Sequence, residues 1–129
     1  MNFTTTSQAS ANSGIKALVY GPAGMGKTML SATLPAPVII SAESGLLSLR
    51  PQNIARVFGE NAQGICYDIP VIEVKTVQDL TEAYNWFTTS PQAANFQSIA
   101  IDSLSEIAEV VLNNAKRQVK DPRQAYGEL

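Results

Sequence analysis

The residues best suited to do chemistry form one short glycine-rich segment near the N-terminus. They satisfy each required position of the phosphate-loop pattern G-x-x-x-x-G-K-[ST], and they are Gly21, Pro22, Ala23, Gly24, Met25, Gly26, Lys27 and Thr28. Small residues let successive backbone N–H groups turn inward around an anion. In such loops the lysine reaches the β- and γ-phosphates and the hydroxyl ligates Mg²⁺. The spacing therefore predicts a nucleotide site in which Lys27 binds phosphate and Thr28 holds the metal.

The sequence on either side of this loop predicts the elements that a phosphate loop needs. An apolar run at residues 15–20 breaks at Gly21 and Pro22, which predicts a buried strand that enters a turn. A short helix is expected to begin at Lys27, and the prolines at 35 and 37 stop it. The helix N-terminus would add its free N–H groups and its dipole to the anion site.

Two acidic residues follow predicted strands and are candidates for the same site. Asp102 ends the run Ile99-Ala100-Ile101, and Glu43 follows the run Val38-Ile39-Ile40 with two residues between them. The carboxyl ends of parallel strands share one edge, where ligands bind. Asp102 is therefore predicted to hold Mg²⁺, directly or through water. From its position alone, Glu43 is equally open to two interpretations: a base that activates the attacking water, or a solvated loop glutamate.

The remaining pattern alternates strand-like and helix-like segments, which predicts an α/β fold: a mostly parallel sheet flanked by helices. A weaker strand at residues 71–74 is expected near a sheet edge. Thr76 and Asp79 predict a capped helix to about residue 88, and Ser103 and Glu106 predict a second capping box. The apolar faces predicted for these two helices are Val77, Leu80, Tyr84 and Phe87, and Leu104, Ile107, Ala108, Val111 and Ala115. Residues 1–14 are interpreted as a flexible arm and residues 15–129 as one domain.

Composition excludes several classes of function. The chain of 129 residues has no histidine and a single cysteine, Cys66, which excludes Ser-His and Cys-His catalysis and a thiolate metal cluster. Its net charge of −2 is unlike that of a strongly basic nucleic-acid binder. No apolar run is long enough to cross a bilayer, and the arm lacks a signal-peptide pattern. These features predict a cytoplasmic protein without membrane contact.

A cluster of cations lies near the end of the last predicted helix, at Lys116, Arg117, Lys120 and Arg123. Cations there complement the dipole of a helix C-terminus. We favour that interpretation over contact with DNA, because no neighbouring aromatic residues are evident for stacking on bases.

The order GPAGMGKT, VIISAESGLLSL, SIAIDSLSEI and DPRQAYGEL resembles the RecA-like ATPases of bacteriophages that are linked to recombination and single-strand annealing. The resemblance runs from about Lys16 to Leu129. It implies that Glu43 is the catalytic glutamate, that Lys27 and Thr28 bind phosphate and metal, and that Asp102 is the aspartate of the second nucleotide motif. It further implies Mg²⁺-dependent ATP turnover in the host cytoplasm, homo-oligomers, and partners such as single-stranded DNA and a single-strand-binding or recombination protein.

The chain also differs from the family that it resembles. Relatives continue beyond the segment that matches residues 125–129, and one of their later strands lies between the phosphate-loop strand and the Asp102 strand. The chain is therefore expected to be the N-terminal part of such a domain, with an incomplete sheet and uncertain independent activity.

Two alternatives remain open. One is a kinase that acts on a nucleotide or another small molecule through the same loop, although nothing marks an acceptor pocket or a basic lid. The other is a nucleotide-binding fragment that does not hydrolyse ATP. A GTPase is disfavoured, because Asp102 lacks the following glycine of a switch and no N-K-x-D motif is present. The residues alone do not distinguish adenine from guanine.

Overall fold

The protein is described from a computed structural model. It describes residues 1, 3–11, 13–43, 46–119, 121, 123, 126 and 127. In chain order the elements are α1 (Thr6–Ser10), a 3₁₀ helix (Thr28–Thr33), β1 (Pro37–Ser41), a 3₁₀ helix (Leu47–Leu49), α2 (Pro51–Phe58), β2 (Val71–Glu73), α3 (Val77–Thr89), a 3₁₀ helix (Pro91–Asn95), β3 (Ser98–Asp102) and α4 (Leu104–Gln118).

The three strands form one parallel sheet in the order β2-β1-β3. The central strand, β1, is buried along its whole length, as expected for a β-branched run that is covered on both faces. The short strand β2 lies at the sheet edge, as the sequence predicts. The predicted α/β fold class, with a parallel sheet flanked by helices, is therefore confirmed.

Each face of the sheet has its own hydrophobic cluster. On one face Ile39 packs with Ile54 of α2 and with Ala32 of the first 3₁₀ helix. On the other face Ile40 packs with Val74 and with Ile107 of α4, and residues of α3 join them. Neighbouring residues of β1 thus point to opposite layers, as the two-residue repeat of a strand requires. This packing fixes the strand ends that carry the candidate site.

Both predicted helix starts are found, with one difference in detail. Thr76 and Asp79 form a complete capping box at the start of α3. At α4 the Ser103 hydroxyl accepts a hydrogen bond from the Glu106 N–H at 3.4 Å, but the reciprocal bond to the Glu106 carboxylate is not formed. The Glu106 carboxylate therefore has no capping role.

The predicted apolar faces of the helices need correction at two positions. Tyr84 is 68% exposed and Leu104 is 58% exposed. Ala83 is buried in α3, and Leu112 is buried in α4. A helical repeat shows which residues share a face of the helix. The neighbouring elements decide which part of that face is buried, and here they do not cover Tyr84 or Leu104.

The strand predicted at residues 15–20 is not formed. This segment has no regular structure, and Ile15 and Tyr20 are 98% and 88% exposed. An apolar run becomes a strand only where a neighbour supplies backbone hydrogen bonds. The sheet of the described residues consists of β1, β2 and β3, and none of these strands pairs with this run.

The arm contains the short helix α1, and its described residues are exposed. Within the described parts of the chain, no helix has the length and apolar character needed to span a membrane.

Candidate functional site

The carboxyl ends of β1 and β3 form the centre of the candidate site. Ser41, the last residue of β1, is paired in register with Asp102, the last residue of β3. Glu43 follows β1 by two residues and therefore lies at the same edge. The structure thus brings together two of the residues that the sequence singles out, Glu43 and Asp102.

Ser41 fixes the turn that leads to Glu43. Its side chain is 1% exposed, and its hydroxyl accepts a hydrogen bond from the Glu43 N–H at 3.1 Å. The same hydroxyl lies 3.4 Å from the Glu43 carbonyl oxygen, to which it donates. These two bonds join the backbone of Glu43 to the end of β1, whereas the Glu43 side chain is exposed.

A third carboxylate, Glu106, joins these two from the first turn of α4. Partial desolvation of the Glu43 side chain raises its pKa above the ordinary value, and the negative charges of Glu106 and Asp102 raise it further. Like charges disfavour the ionised form of a neighbour, which is the physical cause of the second effect. A raised pKa makes a carboxylate a better proton acceptor near neutral pH.

Two oxygens in this group are buried without a hydrogen-bond donor. They are Oδ2 of Asp102 and Oε2 of Glu106. Buried carboxylate oxygens normally have a donor or a cation. Asp102 is therefore suited to a divalent cation, as its predicted role requires.

The described residues contain no set of three or more His, Cys, Asp or Glu side chains placed to enclose a metal ion. Mg²⁺ in nucleotide sites does not need such a set. It keeps several waters and takes one or two protein ligands together with phosphate oxygens. Thr28 and Asp102 each carry an oxygen donor of the kind that Mg²⁺ prefers, so the chemistry of these side chains is compatible with Mg²⁺.

The phosphate loop is curled on itself. The Lys27 ammonium group donates hydrogen bonds to the carbonyl oxygens of Gly21 and Pro22, at 2.8 and 2.7 Å. Gly24 and Gly26 have φ angles of 80° and 84°, a region that side-chain-bearing residues rarely adopt. The curl thus depends on glycine at these two positions, and the Lys27 ammonium group is bonded within the loop itself.

The loop and the carboxylates are not joined by a direct contact. The ion pairs within the described parts of the chain are Lys75–Glu73 and Arg123–Asp121, and neither includes a residue of this site. The loop residues 21–26 are exposed, whereas Lys27 and Thr28 are partly buried. The structure therefore shows a curled loop and a group of carboxylates at the sheet edge, without a hydrogen bond or ion pair between them.

Sequence reasoning missed two residues of the site, Ser41 and Glu106. Ser41 ends a strand and reads as an ordinary terminal residue, so no local signal separates it from other serines. Glu106 has a strong local signal, but that signal is for helix capping. Only the packing of α4 against the sheet brings its carboxylate close to Glu43.

The cation cluster at the end of α4 has partners of its own. The Lys116 ammonium group lies 5.4 Å from the centre of the Tyr126 ring, and Arg123 forms an ion pair with Asp121 at 2.9 Å. Lys116 and Arg117 lie in the last turn of α4, where they complement the helix dipole. Lys120 lies outside the described residues.

Comparison with known proteins gives one match. A family described as an AAA domain matches residues 13–129, nearly the whole chain. Neither the curated proteins nor the solved structures contain a significant match.

Proposed function

Since the chain belongs to the AAA domain family, whose members are typically nucleotide-binding ATPases, we propose that it binds and hydrolyses ATP with Mg²⁺ at the carboxyl edge of its sheet. The observation that carries this proposal is the juxtaposition of Glu43 and Asp102 at the ends of paired strands. The chain has a complete phosphate-loop pattern, and its acidic residues Glu43 and Asp102 lie at the carboxyl edge of the sheet, where such loops bind nucleotides.

In this proposal the residues 21–28 wrap the polyphosphate. Lys27 exchanges its two carbonyl partners for β- and γ-phosphate oxygens, and a charged lysine gains more from anionic than from neutral acceptors. Thr28 and Asp102 hold Mg²⁺, which neutralises charge on the phosphates. Glu43, fixed by Ser41, orients the attacking water and accepts its proton.

We further propose that ATP turnover is coupled to single-stranded DNA in recombination or annealing. The support is the family resemblance of the segments that contain Glu43 and Asp102. Within that proposal the working form is a homo-oligomer in the host cytoplasm, with a single-strand-binding or recombination protein as a further partner.

The test is phosphate release from ATP and Mg²⁺, measured with and without a single-stranded oligonucleotide. Release by the unmodified chain, loss in Lys27→Ala and stimulation by the oligonucleotide support both parts of the proposal. Release without stimulation overturns the coupling to DNA. ATP binding without any release supports the non-hydrolysing alternative and overturns the ATPase assignment.

A kinase would be recognised by a different product. In that case phosphate from ATP is transferred to an added nucleotide or small acceptor faster than it is released as free phosphate. Product analysis by chromatography in the same assay separates the two reactions.

A further inference from the structure

Glu106 lies in the first turn of α4, where a glutamate commonly caps the helix. Its N–H is bound to the Ser103 hydroxyl, but its carboxylate does not return to the Ser103 backbone. Instead, Oε2 is buried and has no hydrogen-bond donor. Helix capping therefore explains the backbone of Glu106, and its carboxyl group shares a side-chain hydrogen bond with Glu43, but Oε2 remains without a donor.

The surroundings of this carboxylate make its position costly. Asp102 also has a buried oxygen without a donor, and the charges of Glu106 and Asp102 both act on Glu43. Glu43 is repelled by both of these carboxylates, and a buried oxygen loses its hydration without gaining a donor. A positive charge, or water molecules held by one, would remove both costs.

We infer that Glu106 is a positioning residue for the cation of the proposed ATPase site: its carboxylate accepts hydrogen bonds from water bound to Mg²⁺, next to the direct ligand Asp102. This inference rests on the proposed function. A water-mediated role fits Mg²⁺, which releases its waters reluctantly.

Glu106 and Glu109 offer a matched pair for the test. Both lie on α4, but Glu109 is exposed, whereas Glu106 is partly buried beside the site. The variants are Glu106→Gln, which removes the charge and keeps the shape, Glu106→Asp, which keeps the charge, and Glu109→Gln as the control. Removal of an outer hydrogen-bonding partner typically lowers metal affinity by about 10- to 100-fold.

The first measurement is the Mg²⁺ concentration that half-saturates binding of a fluorescent, non-hydrolysable ATP analogue. Glu106→Gln is expected to raise it by about tenfold or more, and Glu109→Gln is expected to leave it unchanged. The half-saturating Mg²⁺ concentration of Glu106→Asp should be closer to that of the unmodified chain than the value for Glu106→Gln is. In EDTA, the affinity for the analogue should be the same for the unmodified chain and for all three variants. An unchanged Mg²⁺ requirement in a folded Glu106→Gln variant overturns the inference.

The second measurement needs no nucleotide and separates the inference from the proposed function. Thermal unfolding is followed with EDTA and with Mg²⁺ alone. Without metal, Glu106→Gln should unfold at the same or a higher temperature, because one repelling charge is gone. Mg²⁺ should stabilise the unmodified chain more than this variant.

A lower unfolding temperature of Glu106→Gln in EDTA, together with equal stabilisation by Mg²⁺, would show that the carboxylate is structural only and would overturn the inference. If the unmodified chain binds no ATP analogue but retains the Glu106-dependent response to Mg²⁺, the proposed function fails while the cation role of Glu106 stands.

Discussion

Ser41 and Asp102 are direct neighbours at the ends of two paired parallel strands. This single pair organises the site. It puts the turn to Glu43 next to the start of α4, so that Glu43, Asp102 at the end of β3 and Glu106 in α4 lie close together. The buried central strand β1 thus supports the residues to which we assign the chemistry.

Glu43→Gln tests the role of the proposed base. Glutamine keeps the shape and the backbone bonds to Ser41 but cannot accept the proton from water. We expect ATP affinity to be retained and the rate of phosphate release to fall by about 100-fold or more. Glu60→Gln, a change at an exposed glutamate, serves as the control. Equal turnover in Glu43→Gln and the unmodified chain would exclude Glu43 as the base.

Ser41→Ala tests the turn that directs Glu43. The variant loses a buried hydrogen bond, which costs about 1 kcal/mol in the free energy of unfolding. If the bond also keeps Glu43 in place, the turnover rate should fall about fivefold, which corresponds to about 1 kcal/mol in the barrier. ATP affinity should not change.

The control for this change is Ser98→Ala, at the opposite end of β3. Urea unfolding gives the free energy of unfolding of each variant, and steady-state phosphate release gives its turnover rate. A Ser41→Ala variant that is destabilised but turns over normally would show that the hydroxyl supports the fold and not Glu43.

Asp79 gives a prediction for the pH dependence of stability. The backbone N–H of Lys75 lowers the pKa of Asp79, and the hydroxyl and N–H of Thr76 lower it further. Both N–H groups lie 2.8 Å from the same carboxylate oxygen. A carboxyl group with a lowered pKa in the folded state stabilises the fold above its unfolded pKa of about 3.9. This contribution is lost as the pH falls through the lower, folded value.

Asp79→Asn should therefore be less stable than the unmodified chain at neutral pH, and the difference should shrink as the pH falls below about 3.9. Urea unfolding across this range measures the difference, with Glu82→Gln on the exposed side of α3 as the control. A difference that stays constant with pH would contradict the assigned capping interaction.

The local signals in the sequence predict much of this fold. The β-branched run of β1, the cap at Thr76 and the strand that ends at Asp102 are each encoded within a few residues. Their prediction succeeds because backbone hydrogen bonds and apolar repeats act over the same short range. The shared edge of Glu43 and Asp102 follows from one rule about parallel strands.

The structural features that the sequence does not predict depend on contacts with residues that are distant in the chain. Residues 15–20 have the composition of a strand, but they pair with none of the strands in the described part of the chain. Tyr84 and Leu104 keep a helical repeat but lie beyond the layer that would cover them. Glu106 has the spacing of a capping residue, and only the packing of α4 against the sheet gives its carboxylate different neighbours.

The most direct measurement for the central claim is titration of the chain with a fluorescent ATP analogue in the presence of Mg²⁺, compared with Lys27→Ala. Lys75→Ala, a change at an exposed lysine paired with Glu73, controls for the loss of a positive charge. We predict saturable binding by the unmodified chain and by Lys75→Ala, and no measurable binding by Lys27→Ala. Equal binding by Lys27→Ala and the unmodified chain would contradict the assignment of residues 21–28 as the phosphate-binding loop.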